Sequence, residues 1–329
     1  MNKFFKFKEI SRLSIKILKE EGIGYFLQKV LKRIQENEFK ITKFNNVTLN
    51  TLNEEQEKIL EKNMVWIMGS PRSGSTWLTQ LLDNYGNLIW NEPDIGMNLD
   101  SISDRNRNVS FTTRNSYFFS DHFKNKCWLP GIKKLILTRT YFQTKKIDQK
   151  IIIKEPESYA ADLIMECLPN SKLIFLLRDG RDVVDSFIDA HQEGSWDPTK
   201  EPLLTEEMRI EKIKFYSNLW VNLTKLVWKA FQNHNPKLRL MIKYEDLLTE
   251  SLPQLKKIYD FLEISTTKTD LVKTVEKYNF KNIPSDRKGP GKFTRSATPG
   301  DWKKNLSKQE QNIMMPIMLE TLKERGYKV

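Results

Sequence analysis

From Met64 onward, short apolar runs alternate with stretches of helical period. "MVWIMG" (64–69) precedes a helix predicted from about Ser75, "IIIK" (151–154) one from Ser158, "KLIFLLR" (172–178) one from Arg181, and "LRLMIKY" (238–244) one near Leu252. Apolar runs of this length, lacking a polar alternation, mark strands covered on both faces. Strands that are each followed by a helix predict an α/β, three-layer domain with a central parallel sheet and helices on both faces. In such sheets ligands bind beyond the carboxyl ends of the strands, so Lys154, Arg178 and Tyr244 become candidates for chemistry. The long stretch "EEMRIEKIKFYSNLWVNLTKLVWKAFQ" carries Ile213, Tyr216, Trp220, Leu223, Val227 and Phe231 at three- and four-residue spacing, which is the pattern of a core face.

Residues 9–34 suggest two short amphipathic helices broken at Gly22 and Gly24, with lysines on the polar side. They form either a helical extension packed on the domain or a basic peripheral anchor on an anionic membrane. The division that follows is an N-terminal helical extension and connection over 1–60 and one domain over 61–329, with no Pro/Gly/Ser-rich linker in the middle.

Composition narrows the class. The chain has 329 residues, 39% hydrophobic and 29% charged, and no apolar run near the roughly 18 residues of a membrane span. "MNKFFKFKEISR" lacks the apolar core and cleavage site of a secretory signal, so the expected setting is cytoplasmic. Cys127 and Cys167 are too few for a disulfide framework and are read as buried, inert thiols. The four Asn-x-Ser/Thr sequons, at Asn46, Asn108, Asn222 and Asn305, fit chance in an Asn-rich chain. A formal charge of +12 favours anionic partners. Lys and Arg are nevertheless spread along the whole chain without interleaved aromatics, which speaks against nucleic acid.

The stretch "MVWIMGSPRSGSTWLTQLL" carries the chemistry. Gly69, Gly74, Ser75 and Thr76 follow the P-loop frame G-x-x-x-x-G-K-[ST], except that Ser75 stands where the lysine belongs. Backbone N–H groups and a helix start still make an anion cradle, and Arg72 returns a positive charge inside the loop. The fold expected is therefore P-loop-like, but the strand ends offer no carboxylate-rich metal site. A metal-free transfer fits better than ATP hydrolysis. In "KLIFLLRDGRDVVDSFIDA", Arg178 ends a strand and Ser186 follows eight residues later, an arrangement that can aim a guanidinium and a hydroxyl at one phosphate. Arg181 with Asp182 or Asp185 is the competing reading, as surface ion pairs.

"PRSGSTWL", then "RDGRDVVDS", "KYEDL", "DRKG" and "PGDWK" in this order strongly resemble the sulfotransferase family, over roughly Val65 to Tyr327. The resemblance implies 3′-phosphoadenosine 5′-phosphosulfate as donor, 3′,5′-bisphosphoadenosine as product, and no metal. It places the 5′-phosphosulfate on Arg72, Ser73, Gly74, Ser75 and Thr76, and adenine near Trp77 and Tyr244. The 3′-phosphate falls to Arg178 and Ser186, with Arg287, Lys288 and Gly289 as a late closing loop. "PGKFTRSAT" intervenes between "RKG" and "PGDWK", a departure from many relatives. The Lys-Thr-His motif of cytosolic members is absent, and His122, His191 and His234 sit in none of the family's places. The tyrosylprotein branch instead implies Glu92, 20 residues beyond Arg72, as general base, with Lys154 of "KEP" and Arg72 stabilising the transition state. Glu155 is the competing base. The acceptor implied is a hydroxyl on a glycan, a glycolipid or another metabolite, with peptidyl tyrosine and a P-loop kinase as alternatives. Residues 93–146 and 190–205, with Tyr117, Phe118, Phe119 and Trp196, are its expected lining.

Overall fold

The computed structural model describes residues 52–83, 86–107, 116–197 and 199–329. The expected N-terminal helices, their membrane-anchor alternative and the sequons at Asn46 and Asn108 lie outside the described residues. The described residues belong to one unit, Leu52–Val329. It opens with α1 (Glu54–Asn63), closed at its start by an Asn53–Gln56 capping box and leading directly into β1 (Met64–Gly69). A glycine-containing turn then leads into α2 (Ser75–Leu82).

Five strands form a wholly parallel sheet in the order β2-β3-β1-β4-β5: β2 (Leu88–Asn91), β3 (Ile151–Glu155), β4 (Lys172–Leu177) and β5 (Arg239–Lys243) join β1. Four strands lie where the apolar runs predict them, and β1, β3 and β4 are buried along their whole length. The fifth, β2, is a half-exposed edge strand that the sequence pattern does not mark. Helices begin slightly off their predicted starts. The chain after β3 becomes helical at α4 (Ala161–Cys167), and that after β4 at α5 (Gly180–Asp189), whose N-cap Asp179 accepts from the Arg181 N–H. Tyr244 is not strand but the first residue of α7 (Tyr244–Thr249), which precedes α8 (Ser251–Leu262). Between α2 and α4 runs α3 (Ile95–Arg107), and between α5 and α7 the long α6 (Glu206–Asn233).

Successive residues of β1 point to opposite faces. Met64, Trp66 and Met68 enter one core with Phe175, Tyr216, Trp220 and Val227, while Val65 and Ile67 enter the other with Leu78, Leu82, Ile258 and Tyr259. That double burial is why the strands read as unbroken apolar runs. Of the aromatics on α6, Tyr216 and Trp220 are buried and Phe231 packs at the margin, so the helix serves the core. Its neighbour on the C-terminal side is a helix over Lys308–Glu324.

Both cysteines are free. Cys167 is buried, and burial pushes its thiol up to about 12, as an inert core group would show. Cys127 is exposed, contrary to expectation, because it lies on a short helical turn whose inward residue is Trp128. No described helix is long and apolar enough to cross a membrane.

Gly180, the first residue of α5, sits under the Trp220 ring. A Cβ there would lie 2.4 Å from Trp220 Cδ2 and 2.2 Å from Met318 Cε. Met318 can yield, but the indole is fully enclosed and its Nε1 donates to the Arg178 carbonyl at 3.2 Å. Gly180→Ala is therefore predicted to destabilise the fold by about 1–3 kcal/mol through overpacking. Urea unfolding monitored by tryptophan fluorescence measures it, and an unchanged midpoint would show that the indole moves freely.

Candidate active site

The turn after β1 is built by close approach. A Cβ on Gly69 would meet the Leu176 carbonyl oxygen at 2.3 Å, so only glycine lets β1 and β4 run this tightly together at their carboxyl ends. Gly74 has φ +88°, and a Cβ there would stand 2.5 Å from Tyr244 Cδ2. Backbone conformation and the tyrosine ring thus both demand glycine. Arg72 also lies in the left-handed region, at φ 67°. The chain leaves β1 toward β3 and leaves β4 toward β5, so the turn occupies the topological switch point of the sheet.

The lysine missing from the turn is replaced from the next strand. Lys154 of β3, buried, donates from Nζ to Thr76 Oγ1 at 3.0 Å and pairs with Glu92 Oε1 at 2.8 Å. Backbone geometry enforces the meeting: Asn91 is in register with Lys154, and the Glu92 N–H donates to the Lys154 carbonyl at 2.8 Å. Glu92 itself has φ 49°, and its side chain is 55% exposed, so its carboxylate is open to solvent. Glu155 differs in every respect. It is buried, and its Oε2 accepts the Ile95 N–H at 3.1 Å, at the start of α3. Burial pushes its carboxyl up to about 7, with Asp94 and Glu157 adding repulsion against the Ile95 and Gly96 amides.

The other half of the site faces β4. Arg178 Nη1 donates to the Arg72 carbonyl at 2.8 Å, and its guanidinium lies over the Tyr244 ring at 4.5 Å. Arg72 Nε donates to Ser186 Oγ at 3.0 Å. The Arg72 guanidinium is further held by the rings of Trp196 (4.9 Å) and Phe293 (5.3 Å) and by the Phe293 carbonyl (3.4 Å). Burial, then Arg178, pulls its pKa down to about 10, with Asp189 opposing and Arg295 adding to the fall. It stays cationic at neutral pH, so the Arg178 and Arg295 guanidinium groups repel it where it meets Ser186. Trp77 meets Tyr244 edge-on at 5.9 Å, and its Nε1 donates to the Tyr278 carbonyl at 3.0 Å.

Sequence-predicted residues therefore fall into two groups. The structure brings Thr76, Lys154 and Glu92 together on one side, and Gly74, Arg72, Arg178, Ser186, Tyr244 and Trp77 on the other, with Ser73 and Ser75 in the turn that joins them. Among the described contacts none links the Arg72 guanidinium to Lys154 or Glu92. No described contact brings Arg287, Lys288 or Gly289 to Arg178 or Ser186 either. Arg287 is exposed, and Lys288 Nζ turns back to the Phe280 and Lys281 carbonyls at 3.4 and 3.3 Å. Arg295 of "PGKFTRSAT" is there instead, paired with Asp185 beside Ser186. It escaped the sequence reading because two arginine-bearing segments compete for one role. The usable signal was its distance to "PGDWK".

The acidic residues of α5 are not surface ion pairs. Asp182 accepts from the Gly300 N–H (2.8 Å) and the Trp302 N–H (3.3 Å), Asp185 from Asn305 Nδ2 (2.9 Å), and Asp189 from the Gly291 N–H (3.1 Å). Arg181 pairs with Asp179 at 2.7 Å and covers Trp302 at 4.6 Å. One helix face thus straps residues 289–305 across the site. Beneath it, Glu245 accepts from the Asp179 N–H (2.8 Å) and from the Tyr327 hydroxyl (3.2 Å), steadying the turn that carries Arg178. Of the expected acceptor lining, Trp196 instead covers Arg72, and Phe119 packs edge-on against Trp128 at 5.6 Å. Phe118 is 79% exposed. His191 and His234 are structural: Nδ1 of His191 donates to the Glu201 carbonyl at 2.7 Å, and Nε2 of His234 to the Ser171 carbonyl at 2.8 Å.

A glycine-shaped anion cradle at the switch point of a parallel sheet, with its cations supplied from β3 and from the turn after β4, defines a P-loop-like anion site. The description "Sulfotransferase family" belongs to the family model that matches residues 65–268, more than half of the chain. The protein is a member of that family. It is 25% identical over 171 residues to Cytosolic sulfotransferase 1 of Arabidopsis thaliana, an alignment spanning 46% of this chain and 50% of that protein. The chain thus matches about half the length of that curated relative. The fold is similar to that of the mouse sulfotransferase SULT7A1 complexed with PAP, with a TM-score of 0.51 and 15% identity over 83% of this chain and 90% of that one.

The elevated Glu155 carboxyl has a consequence for stability. Between its ordinary 4.5 and about 7, the folded protein keeps a proton that the unfolded chain has lost. The folded state is then the more protonated one, so stability falls as pH rises across that window, by about 3 kcal/mol from this group. Glu155→Gln, which keeps an oxygen for the Ile95 N–H, is predicted to remove that part of the slope. Chemical denaturation at pH 5 and pH 8 checks it, and the same slope in both proteins would contradict it.

Proposed function

We propose that the protein transfers a sulfuryl group from 3′-phosphoadenosine 5′-phosphosulfate to an acceptor hydroxyl. The observation that carries this reading is Lys154, whose ammonium touches both Thr76 of the cradle and the carboxylate of Glu92. A cation for the anion and a base for the hydroxyl are thereby joined at one end of the loop.

The residues fit such a donor. Ser73 Oγ and Arg178 Nε are buried without a hydrogen-bond partner among the described residues, a costly state that an anion's oxygens would relieve. Ser73, Gly74, Ser75 and Thr76 would hold the 5′-phosphosulfate, as a helix start with converging N–H groups does. Arg178, Ser186, Arg72 and Arg295 would hold the 3′-phosphate, whose two negative charges offset the repulsion among the guanidinium groups. The donor supplies the sulfuryl group: its S–O bond to the phosphate breaks, a new S–O bond forms to the acceptor oxygen, and 3′,5′-bisphosphoadenosine leaves.

This chain's own part is positional and electrostatic. Glu92, exposed and held by the β2–β3 ladder, takes the proton of the acceptor hydroxyl. Lys154 orients that carboxylate and sets positive charge at the loop, where negative charge grows on the leaving phosphate. Glu155, buried and turned onto α3, is the poorer candidate for the base. Arg72 serves donor anchoring in this arrangement. The acceptor class we assign to this open carboxylate is a hydroxyl on a glycan, a glycolipid or another metabolite. A kinase reading is disfavoured by Ser75 at the lysine position.

Incubation with sulfur-labelled donor and a panel of glycans, lipids and tyrosine peptides, read by mass spectrometry, tests the reading. Labelled product without added metal is the expected result, and turnover of ATP with magnesium in its place would overturn it. Glu92→Gln should lower kcat by about 10²–10⁴-fold while leaving affinity for 3′,5′-bisphosphoadenosine within twofold. Normal turnover would move the base elsewhere. For Lys154→Met the fall in kcat should exceed any rise in KM, since its contribution grows toward the transition state. A change in KM alone would rule that role out.

A further inference from the structure

The net charge is unevenly placed. Residues 268–295 contain eight basic and three acidic residues, and so hold five of the chain's twelve excess positive charges in less than a tenth of its length. Lys268, Lys273, Lys277, Lys281, Arg287 and Lys292 are exposed, and none of them enters an ion pair among the described residues. The three acids Asp270, Glu276 and Asp286 offset only part of the eight basic residues. A net positive excess therefore remains on this segment.

The segment borders the donor cleft at three points. The Tyr278 carbonyl accepts from Trp77, the Phe293 carbonyl accepts from Arg72, and Arg295 pairs with Asp185 next to Ser186. The exposed lysines flank these contacts without making them. On the opposite side of the loop, residues 92–104 hold four acidic residues and no basic one. The two segments that border the loop thus differ in the sign of their net charge, positive in 268–295 and negative in 92–104.

We infer that residues 268–295 form an electrostatic guide that draws a doubly phosphorylated nucleotide into the cleft. The inference rests on the donor proposed above. Two phosphomonoesters carry a charge of about −3 to −4 near neutral pH. A one-signed rim beside a low-dielectric cleft raises the rate of anion arrival by 10–10³-fold, and salt removes the effect once the Debye length falls to about 8 Å at 0.15 M. Guiding charges act on association and leave dissociation to the groups that grip the ligand. Lys273, Lys281 and Lys292 belong to the guide, whereas Arg72, Arg178, Ser186 and Arg295 belong to the grip.

Stopped-flow tryptophan fluorescence with 3′,5′-bisphosphoadenosine distinguishes the two sets. In the variant Lys273→Gln/Lys281→Gln/Lys292→Gln, the association rate at low ionic strength should fall about tenfold and its salt dependence should flatten, with the dissociation rate within twofold of the parent. An unchanged association rate overturns the guide, and so does a change confined to dissociation. If the variant keeps its association rate but loses retention on immobilised dextran sulfate, the surface serves a polyanionic partner and the inference is wrong. Failure of the parent protein to bind the nucleotide at any salt concentration would instead strike the proposed donor itself, and the guide with it.

Discussion

The site depends on how β1 is flanked. Its parallel ladders to β3 and β4 are held in register because both faces of β1 are buried, so a one-residue shift would drive each side chain out of the core it fills and into the other one. Ile67 faces Lys154 on one side, and Gly69 faces Leu176 on the other, where only a hydrogen in place of a Cβ can be fitted. The turn after β1 therefore emerges between two cation sources. Lys154 comes from the β3 side together with Glu92, and Arg178 comes from the β4 side together with Ser186. One strand thus divides the cleft into a half that would carry out transfer and a half that would anchor the nucleotide.

Gathering Arg72, Arg178 and Arg295 near one another is unfavourable unless negative charge lies close by. The protein supplies it in a second layer. Asp179, Asp182, Asp185 and Asp189 on or beside α5, with Glu245 below, stand behind the arginines and not in the cleft. Most of these carboxylates also accept backbone N–H groups of the strap 289–305 or of the turn itself. Balancing charge and fixing the strap are therefore done by the same side chains. Residual positive charge is left pointing at the place where an anion would sit, and Ser73 Oγ and Arg178 Nε have no partners there among the described residues.

What could be read from the sequence follows from the same physics. Strands covered on both faces leave unbroken apolar runs, so β1, β3, β4 and β5 and the parallel class were legible. The four-residue strand β2 was not, since an edge strand with half-exposed residues has no such signature. The loop was legible because glycine has no substitute where φ is positive and a ring stands 2.5 Å away. Glu92 and Lys154 were each pointed to by the family resemblance, but that they form an ion pair is seen only in the structure. Side-chain direction was not legible. Arg72 was expected at the transferring group, but its left-handed backbone and the Trp196 and Phe293 rings lead it to Ser186. The Asp182, Asp185 and Asp189 spacing looks in sequence like a solvated helix face. Only the returning strap, more than a hundred residues later, shows that the face is covered.

Moving the cation from the loop to β3 changes what it can do. A lysine inside a P-loop answers only to the phosphates, whereas Lys154 is tied to Thr76 and to a carboxylate at the same time. In the resting pair the charges of Lys154 and Glu92 cancel. On the proposed reading, when Glu92 accepts the acceptor's proton its charge disappears, and Lys154 is left as an uncompensated cation beside the loop. That happens as negative charge accumulates on the departing phosphate, so stabilisation grows along the reaction coordinate and is small in the ground state, which is the condition for raising kcat. Proton removal and leaving-group stabilisation are then one electrostatic event. A buried ammonium with a half-exposed carboxylate suits that coupling: the cation stays fixed, while the base remains open to the incoming hydroxyl.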